Sequence, residues 1–197
     1  MNKERLAAFS DAVLAIIITI LVLELKRPAE LTLGGFLTLW PNYMAYAISF
    51  FWLGAMWINM HNEWYSVSHI TTGTLWATLI VLFFSSLFLY ATDIVSENYN
   101  NSGAQTFYGI IVLLITFANM NMYASLAKAD SHLSFSEWIK RHRRGWMIPD
   151  VVIKVIGLVL TLTVWPPAML YAVLATLLVL VIPNQLRHKF AERGGNS

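Results

Sequence analysis

Residues 5–25 have the sequence RLAAFSDAVLAIIITILVLEL, and the organisation of the chain follows from this stretch. It is apolar and reaches the roughly 20 residues that an α-helix needs to cross the hydrocarbon core of a bilayer. It nevertheless contains Ser10, Asp11 and Thr19. An ionisable side chain inside a membrane span is costly, so Asp11 indicates either a functional group or a structural bond between helices.

The composition of the whole chain is also typical of a membrane protein. Of its 197 residues, 57% are hydrophobic and 12% are charged, whereas soluble domains carry about 25% charged residues. We therefore predict an all-α integral membrane protein, with residues 1–197 forming a single domain of six transmembrane helices. Hydropathy places these helices at about residues 6–25, 37–60, 70–91, 105–127, 147–165 and 167–186.

The basic residues distinguish the two sides of this predicted domain. With both termini on one side, that side carries every lysine and arginine except Lys26 and Arg27 on the other side and Lys154 inside a span. The positive-inside rule then predicts that both termini are cytoplasmic. The most basic loop, residues 128–145, is expected to lie along the membrane interface, and binding of anionic lipid is the alternative.

A helical projection separates two faces of the first span. At about 100° per residue, one stripe contains an apolar row formed by Ile16, Ile20 and Leu23. Asp11 lies roughly 140° from Ile16, so the two cannot face the same narrow lumen. The stripe of the apolar row also holds Arg5 and Phe9, and a neighbouring stripe of small residues holds Ala8, Ala12, Ala15 and Thr19. On periodicity alone, the apolar row is better explained as a face that packs on lipid or on the core than as a pore lining.

Two interpretations of Asp11 follow. In the first, Asp11 lines a water-filled path and binds an ion or a proton. In the second, Asp11 and Ser10 turn into the helix bundle and bond side chains on other helices. Matching the depths of the spans favours the second interpretation, because several polar side chains lie near the same predicted depth. These candidates are Trp57, Asn59, His61 and Asn119.

A second pair of charges lies inside the fifth predicted span. Asp150 and Lys154 are four residues apart, in the favourable order for an ion pair along a helix. Lys154 could instead extend its ammonium group to the membrane interface. In both cases we expect a structural role.

The opening motif resembles a known family signature. Arg5, Phe9, Ser10 and Asp11 form the pattern R-x-x-x-F-S-D directly before an apolar helix that ends LVLEL at residues 21–25. This resembles the signature of the transmembrane protein 175 family, which comprises the lysosomal potassium leak channel of animals and shorter prokaryotic relatives. The second span is similar to the family pattern as well, through Tyr46, Ser49, Phe50, Trp57 and His61.

The resemblance implies a concrete architecture. A chain with one copy of the motif is expected to form a homotetramer in the prokaryotic plasma membrane, with the first helix of each subunit lining the pore. The family pattern makes Ile16, Ile20 and Leu23 the pore constrictions, with Thr19 beside them. The motif residues are expected to join the first three helices rather than touch the ion. They form a structural network of Arg5, Phe9, Ser10, Asp11, Trp57 and His61.

The resemblance therefore implies a potassium-permeable leak channel that passes other monovalent cations more weakly, with an apolar constriction as gate and weak filter. Glu24, in four copies, would attract cations at the outer mouth, or it simply ends an interfacial helix. The alternative is a proton-coupled secondary transporter that uses Asp11 and His61. Transporters usually have spans broken by Gly or Pro near mid-membrane, whereas all six prolines here lie at span ends.

Other functions find no support in the sequence. It contains no His-Glu-x-x-His motif and no Ser–His constellation, so we do not expect an enzyme. The absence of cysteine excludes disulfides, iron–sulfur clusters and thiolate zinc sites. His132 and His142 lack a third ligand, so neither a resident metal nor a cofactor is expected. The partners expected are the permeant ion, membrane lipid and further copies of the chain, and not nucleic acid.

Overall fold

The computed structural model of the chain describes residues 3–67, 69–129 and 147–181. Every regular element in these residues is helical. Helix α1 continues as a turn of 3₁₀-helix at Leu21–Glu24, and α7 continues as a π-helical turn at Leu177–Val181. The helices are α1 (Lys3–Ile20), α2 (Leu33–Thr38), α3 (Trp40–Ser66), α4 (Thr72–Glu97), α5 (Ser102–Ala129), α6 (Ile148–Thr163) and α7 (Ala168–Thr176).

The prediction of an all-helical protein is confirmed, and each of the six predicted spans overlaps a helix, although α7 at the sixth span has only 9 residues. Among the described residues, three stretches are long and apolar enough to cross a membrane: Lys3–Glu24, Thr72–Glu97 and Ser102–Ala129. Helix α3 is long but rich in polar and aromatic residues, and α6 has 16 residues. The count of six crossings and the cytoplasmic location of the termini stay predictions. The basic loop, with His132 and His142, lies outside the described residues.

The first loop contains the short helix α2, and both Gly34 and Gly35 lie within it. The Thr32 hydroxyl caps this helix by accepting a hydrogen bond from the Gly35 backbone N–H at 3.1 Å. A side chain at Gly35 would overlap the carbonyl group of Glu30. The glycine therefore permits a close backbone approach at a helix start instead of ending a helix.

The helices pack around one apolar core. Helix α1 contacts α3 and α4, α4 packs along α5, and α6 packs on α5 and forms a hairpin with α7. In this hairpin the hydroxyl of Thr161 donates to the carbonyl of Pro166 and accepts from the N–H of Met169, at 3.1 and 2.9 Å. A side chain at Gly157 would overlap Ala172, so the glycine lets α6 and α7 approach closely.

Candidate pore helix and buried polar groups

Helix α1 has one face packed into its own subunit. The buried residues of this face are Leu6, Ser10, Leu14 and Ile17. Their spacing of three or four residues is that of a single helical stripe. Since this face contacts α3 and α4, the orientation of α1 about its own axis is fixed by apolar packing.

The apolar row lies away from this packed face. Ile16, Ile20 and Leu23 are 57%, 36% and 76% exposed in the single subunit. The structure thus brings these three side chains onto an outward surface where another subunit or lipid can contact them. Whether they constrict a pore stays a prediction.

Thr19 lies on the same outward side of α1, and its hydroxyl proton is already used. The Oγ1 atom lies 2.9 Å from the carbonyl oxygens of both Ala15 and Ile16, to which it donates. A hydroxyl that donates to its own helix keeps oxygen lone pairs available as acceptors. This arrangement leaves the Thr19 oxygen able to face a cation.

Asp11 forms a hydrogen bond between helices. Its Oδ1 accepts from the indole Nε1–H of Trp57 in α3 at 2.8 Å. The Trp57 ring also packs against the ring of His61, with a centroid distance of 5.7 Å. Trp57 was one of four predicted partners. Another of them, Asn119, instead donates to the Met56 sulfur and to the carbonyl of Ile115.

The rest of the predicted motif network is only partly assembled within the subunit. Ser10 is buried, but its hydroxyl donates to the carbonyl of Leu6 in its own helix at 2.9 Å. The prediction of a bond from Ser10 to another helix was therefore wrong, because a serine inside a helix can satisfy its proton on the carbonyl four residues earlier. Arg5 and Phe9 are exposed on α1 in the single subunit.

Glu24 ends the 3₁₀ turn at the far end of the α1 stretch and is half-buried. The Asp93 carboxylate of α4 is close enough to interact electrostatically with Glu24. Glu97, four residues further along α4, forms an ion pair with Lys26 at 2.6 Å. This end of the molecule therefore combines several carboxylates with one paired lysine.

The charges in α6 form a buried ion pair. Lys154 Nζ lies 2.6 Å from Asp150 Oδ2, and the two residues are 2% and 4% exposed. The ammonium group also donates to the Thr116 hydroxyl at 2.8 Å and lies over the Trp52 ring, 5.1 Å from its centroid. The predicted pair is confirmed, and extension of Lys154 to the interface was wrong. The spacing of Asp150 and Lys154 predicted their ion pair. Nothing in the sequence indicated the contacts of Lys154 with Trp52 in α3 and Thr116 in α5.

A chain of buried hydroxyls on the other half of the bundle was missed. Thr92 donates to Ser49 at 3.0 Å, and Ser49 lies 3.2 Å from the Tyr108 hydroxyl. The chain joins α4, α3 and α5. Isolated Ser and Thr residues in apolar spans were the available signal, but they do not reveal which helices face one another.

Metal-ligating groups are sparse in the part of the chain that the structure describes. Those residues contain no group of three or more His, Cys, Asp or Glu side chains that could hold a metal ion.

The fold and this site define a helical membrane protein whose N-terminal helix is packed on one face and presents an apolar row on the other. The family model described as endosomal/lysosomal potassium channel TMEM175 matches residues 5–88. A potassium channel of Chamaesiphon minutus is 31% identical over 139 residues, which cover 66% of this chain and 68% of that protein. The chain belongs to the TMEM175 family of potassium channels.

Other similarities cover different parts of the chain. A potassium channel of a Chryseobacterium species is 39% identical over 118 residues, 60% of this chain and 62% of its own length. The match to a Streptomyces collinus potassium channel spans 50% of that protein at 35% identity. The fold matches a crystal structure described as a lysosomal potassium-selective channel TMEM175 homolog from Chamaesiphon minutus. That match has a TM-score of 0.73 and 24% identity, and it covers 94% of this chain and 97% of the other.

Proposed function

We propose that this protein is a potassium-permeable leak channel, formed by four copies of the chain in a prokaryotic plasma membrane. Each subunit crosses the membrane six times with both termini in the cytoplasm, and α1 of each copy lines a central pore. The relatives of this chain are named potassium channels, which supports the class of function.

The observation that carries the pore assignment is the outward face of α1. It combines the apolar row Ile16, Ile20 and Leu23 with a flanking stripe of Ala8, Ala12, Ala15 and Thr19, all of them exposed. Small residues let neighbouring membrane helices approach closely. The exposed face of α6 is instead uniformly bulky, as expected of a surface toward lipid. It carries Val152, Val155, Ile156, Val159 and Leu162.

Three apolar rings, each formed by four copies of Ile16, Ile20 or Leu23, would act as a gate and as a weak filter. Isoleucine and leucine offer no ligand to replace hydration water, so a narrow ring of them excludes ions by dewetting. Potassium is less strongly hydrated than sodium and crosses such a ring at lower cost. The Thr19 oxygens, with their protons donated to the helix backbone, would face a partly hydrated ion between the rings of Ile16 and Ile20. Glu24, near other carboxylates, would raise the local cation concentration at the outer mouth.

Asp11 holds α1 in place in this proposal. Its carboxylate accepts from the Trp57 indole, which is a donor only and cannot pass a proton onward. A proton-coupled transporter would need a relay between Asp11 and His61, and the group that both of them contact is this indole. The geometry therefore favours the channel over the transporter.

Single-channel recording of the purified protein in a planar bilayer with a potassium gradient tests the proposal. We expect discrete openings whose current reverses near the potassium equilibrium potential. When a sodium gradient replaces the potassium gradient, the reversal potential should shift toward zero. Saturating, gradient-coupled flux without openings would refute the channel and support the transporter. Native mass spectrometry in detergent tests the assembly separately, and a monomer there would remove the basis for an axial pore.

A further inference from the structure

In the part of the chain that the structure describes, three glycines lie beyond the first turn of a long helix. They are Gly54 in α3, Gly109 in α5 and Gly157 in α6. Glycine is less favourable than alanine inside a helix, so each position needs a compensating reason. A side chain at Gly109 would overlap Met169, and one at Gly157 would overlap Ala172. Close helix packing within the subunit therefore explains these two glycines.

Gly54 has no such reason within the described part of the subunit. A Cβ atom at this position would meet no side chain and no other helix within 4 Å, so the position faces open space. Its neighbours on the helix surface, three and four residues away, are all large. They are Phe50, Phe51, Trp57 and Ile58, of which the last three are exposed. We call this depression, with Gly54 as its floor, the Gly54 socket. Facing helices insert side chains into holes of this kind.

The Gly54 socket adjoins the outward face of α1. Trp57, at the edge of the socket, donates to the carboxylate of Asp11 at 2.8 Å. Ala15 lies about one helical turn beyond Asp11 and belongs to the exposed flanking stripe of small residues. In the channel proposed above, this face of α1 meets the neighbouring subunits. The socket therefore continues the same surface from α1 onto α3.

Polar groups at the edge of the socket favour protein over lipid as its cover. Asp11 is half-buried, and His61, one turn from Trp57 on α3, is exposed. Hydrocarbon chains offer neither group a hydrogen bond, and ionisable groups within membrane spans almost always face protein or a water-filled cavity. A protein surface can fill the socket with an apolar side chain and also supply polar groups at its edge.

We propose that the Gly54 socket is the contact surface for a second copy of the chain. An apolar side chain of the next subunit fills the space above Gly54, and the two subunits approach closely there. The inference rests on the assembly proposed above and assigns one side of the subunit to it. In a ring with rotational symmetry each subunit uses two different surfaces, so the socket meets a surface other than itself.

Thiol labelling tests the socket, because the chain contains no cysteine and an introduced one is unique. Gly54→Cys is compared with Val155→Cys, since Val155 is exposed near the middle of α6 on its bulky face. The assembled variants react with N-ethylmaleimide in detergent, and mass spectrometry follows the labelled fraction with time. We expect Gly54→Cys to react at least about tenfold more slowly, because the reagent reaches it only when subunits separate. After dissociation in dodecyl sulfate, the two rates should be equal.

Native mass spectrometry of Gly54→Leu gives a second measure. The leucine enters open space in the subunit, so helicity by circular dichroism should be unchanged. The ratio of tetramer to monomer should fall by at least about tenfold, because overpacking a close contact is destabilising. Val155→Phe adds as many carbon atoms to the bulky face of α6 and should leave the ratio unchanged.

Equal labelling of the two cysteines in the assembled protein would overturn the proposal, with lipid or detergent as the occupant, even if Gly54→Leu fails to fold. A folded Gly54→Leu that assembles like the unmodified protein would overturn it as well. Both results would leave the proposed channel standing. A monomeric unmodified protein would instead refute the proposed assembly itself, and the socket with it.

Discussion

Two aspartates lie in apolar helices of this protein, and their surroundings differ. Asp11 is half-buried on α1 and accepts one hydrogen bond from a neutral indole. Asp150 is almost fully buried on α6 and is paired with a lysine that has two further contacts. The first carboxylate keeps a side open to its surroundings, whereas the second belongs to a closed charge network.

The two aspartates should therefore differ in how well the protein tolerates the loss of their partners. A buried charge that loses its partner keeps its full desolvation cost, whereas a half-exposed charge can exchange a lost partner for water. We therefore expect the network in α6 to govern stability and the surroundings of Asp11 to set the position of α1. The free energy of unfolding in mixed detergent micelles measures this contrast on one scale.

The largest effect is expected for Lys154→Met. This change leaves the Asp150 carboxylate buried without a counter-charge, and breaking a buried pair costs about 3–5 kcal/mol. The double variant Lys154→Met with Asp150→Leu should recover most of the loss, because both buried charges are then removed. Detergent titration followed by circular dichroism measures both. A single variant as stable as the unmodified protein would contradict the closed network.

A smaller loss is expected for Thr116→Val, which has nearly the same shape but cannot accept from the Lys154 ammonium. A lost hydrogen bond to a buried charge costs about 1.5–3 kcal/mol. Thr163→Val is the control, since the Thr163 hydroxyl is exposed and donates only to its own helix. The same titration should show that control unchanged. Equal losses in the two variants would mean that the Thr116 contact adds nothing specific.

Trp57→Phe should cost less, about 1 kcal/mol, because water can replace the indole at the half-exposed Asp11 carboxylate. Trp76→Phe is matched in size and lies at an exposed position of α4. The difference between the two losses isolates the bond to Asp11. If Asp11→Asn and Trp57→Phe had additive effects in the double variant, the two side chains would not be coupled and the bond would not position α1.

The sequence predicted the helical class and located most ends of the five long helices to within a few residues. It also predicted Trp57 as a candidate hydrogen-bond partner of Asp11. These follow from local pattern, since hydropathy and depth along a span are properties of one helix at a time. The burial of Lys154 was not predictable in this way, because Thr116 and Trp52 come from helices 38 residues and more away in the chain. Ser10 was misassigned for a related reason: a serine hydroxyl can bond its own helix or a neighbour, and the pattern is the same.

The smallest effect on stability, and the sharpest test of the roles on α1, is expected for Ile16→Asn. Ile16 is exposed in the subunit, so the change should alter the free energy of unfolding by no more than about 0.5 kcal/mol. In the assembled channel it would hydrate the apolar ring and raise single-channel conductance. Ile156→Asn is the matched control, because Ile156 is 52% exposed on the bulky face of α6 and should leave conductance unchanged.

Asp11→Asn should leave ion selectivity unchanged, since Asp11 lies off the apolar row. If Asp11→Asn changed selectivity while Ile16→Asn left the current as it was, the two faces of α1 would have to exchange roles, with the carboxylate meeting the ion and the isoleucines facing lipid.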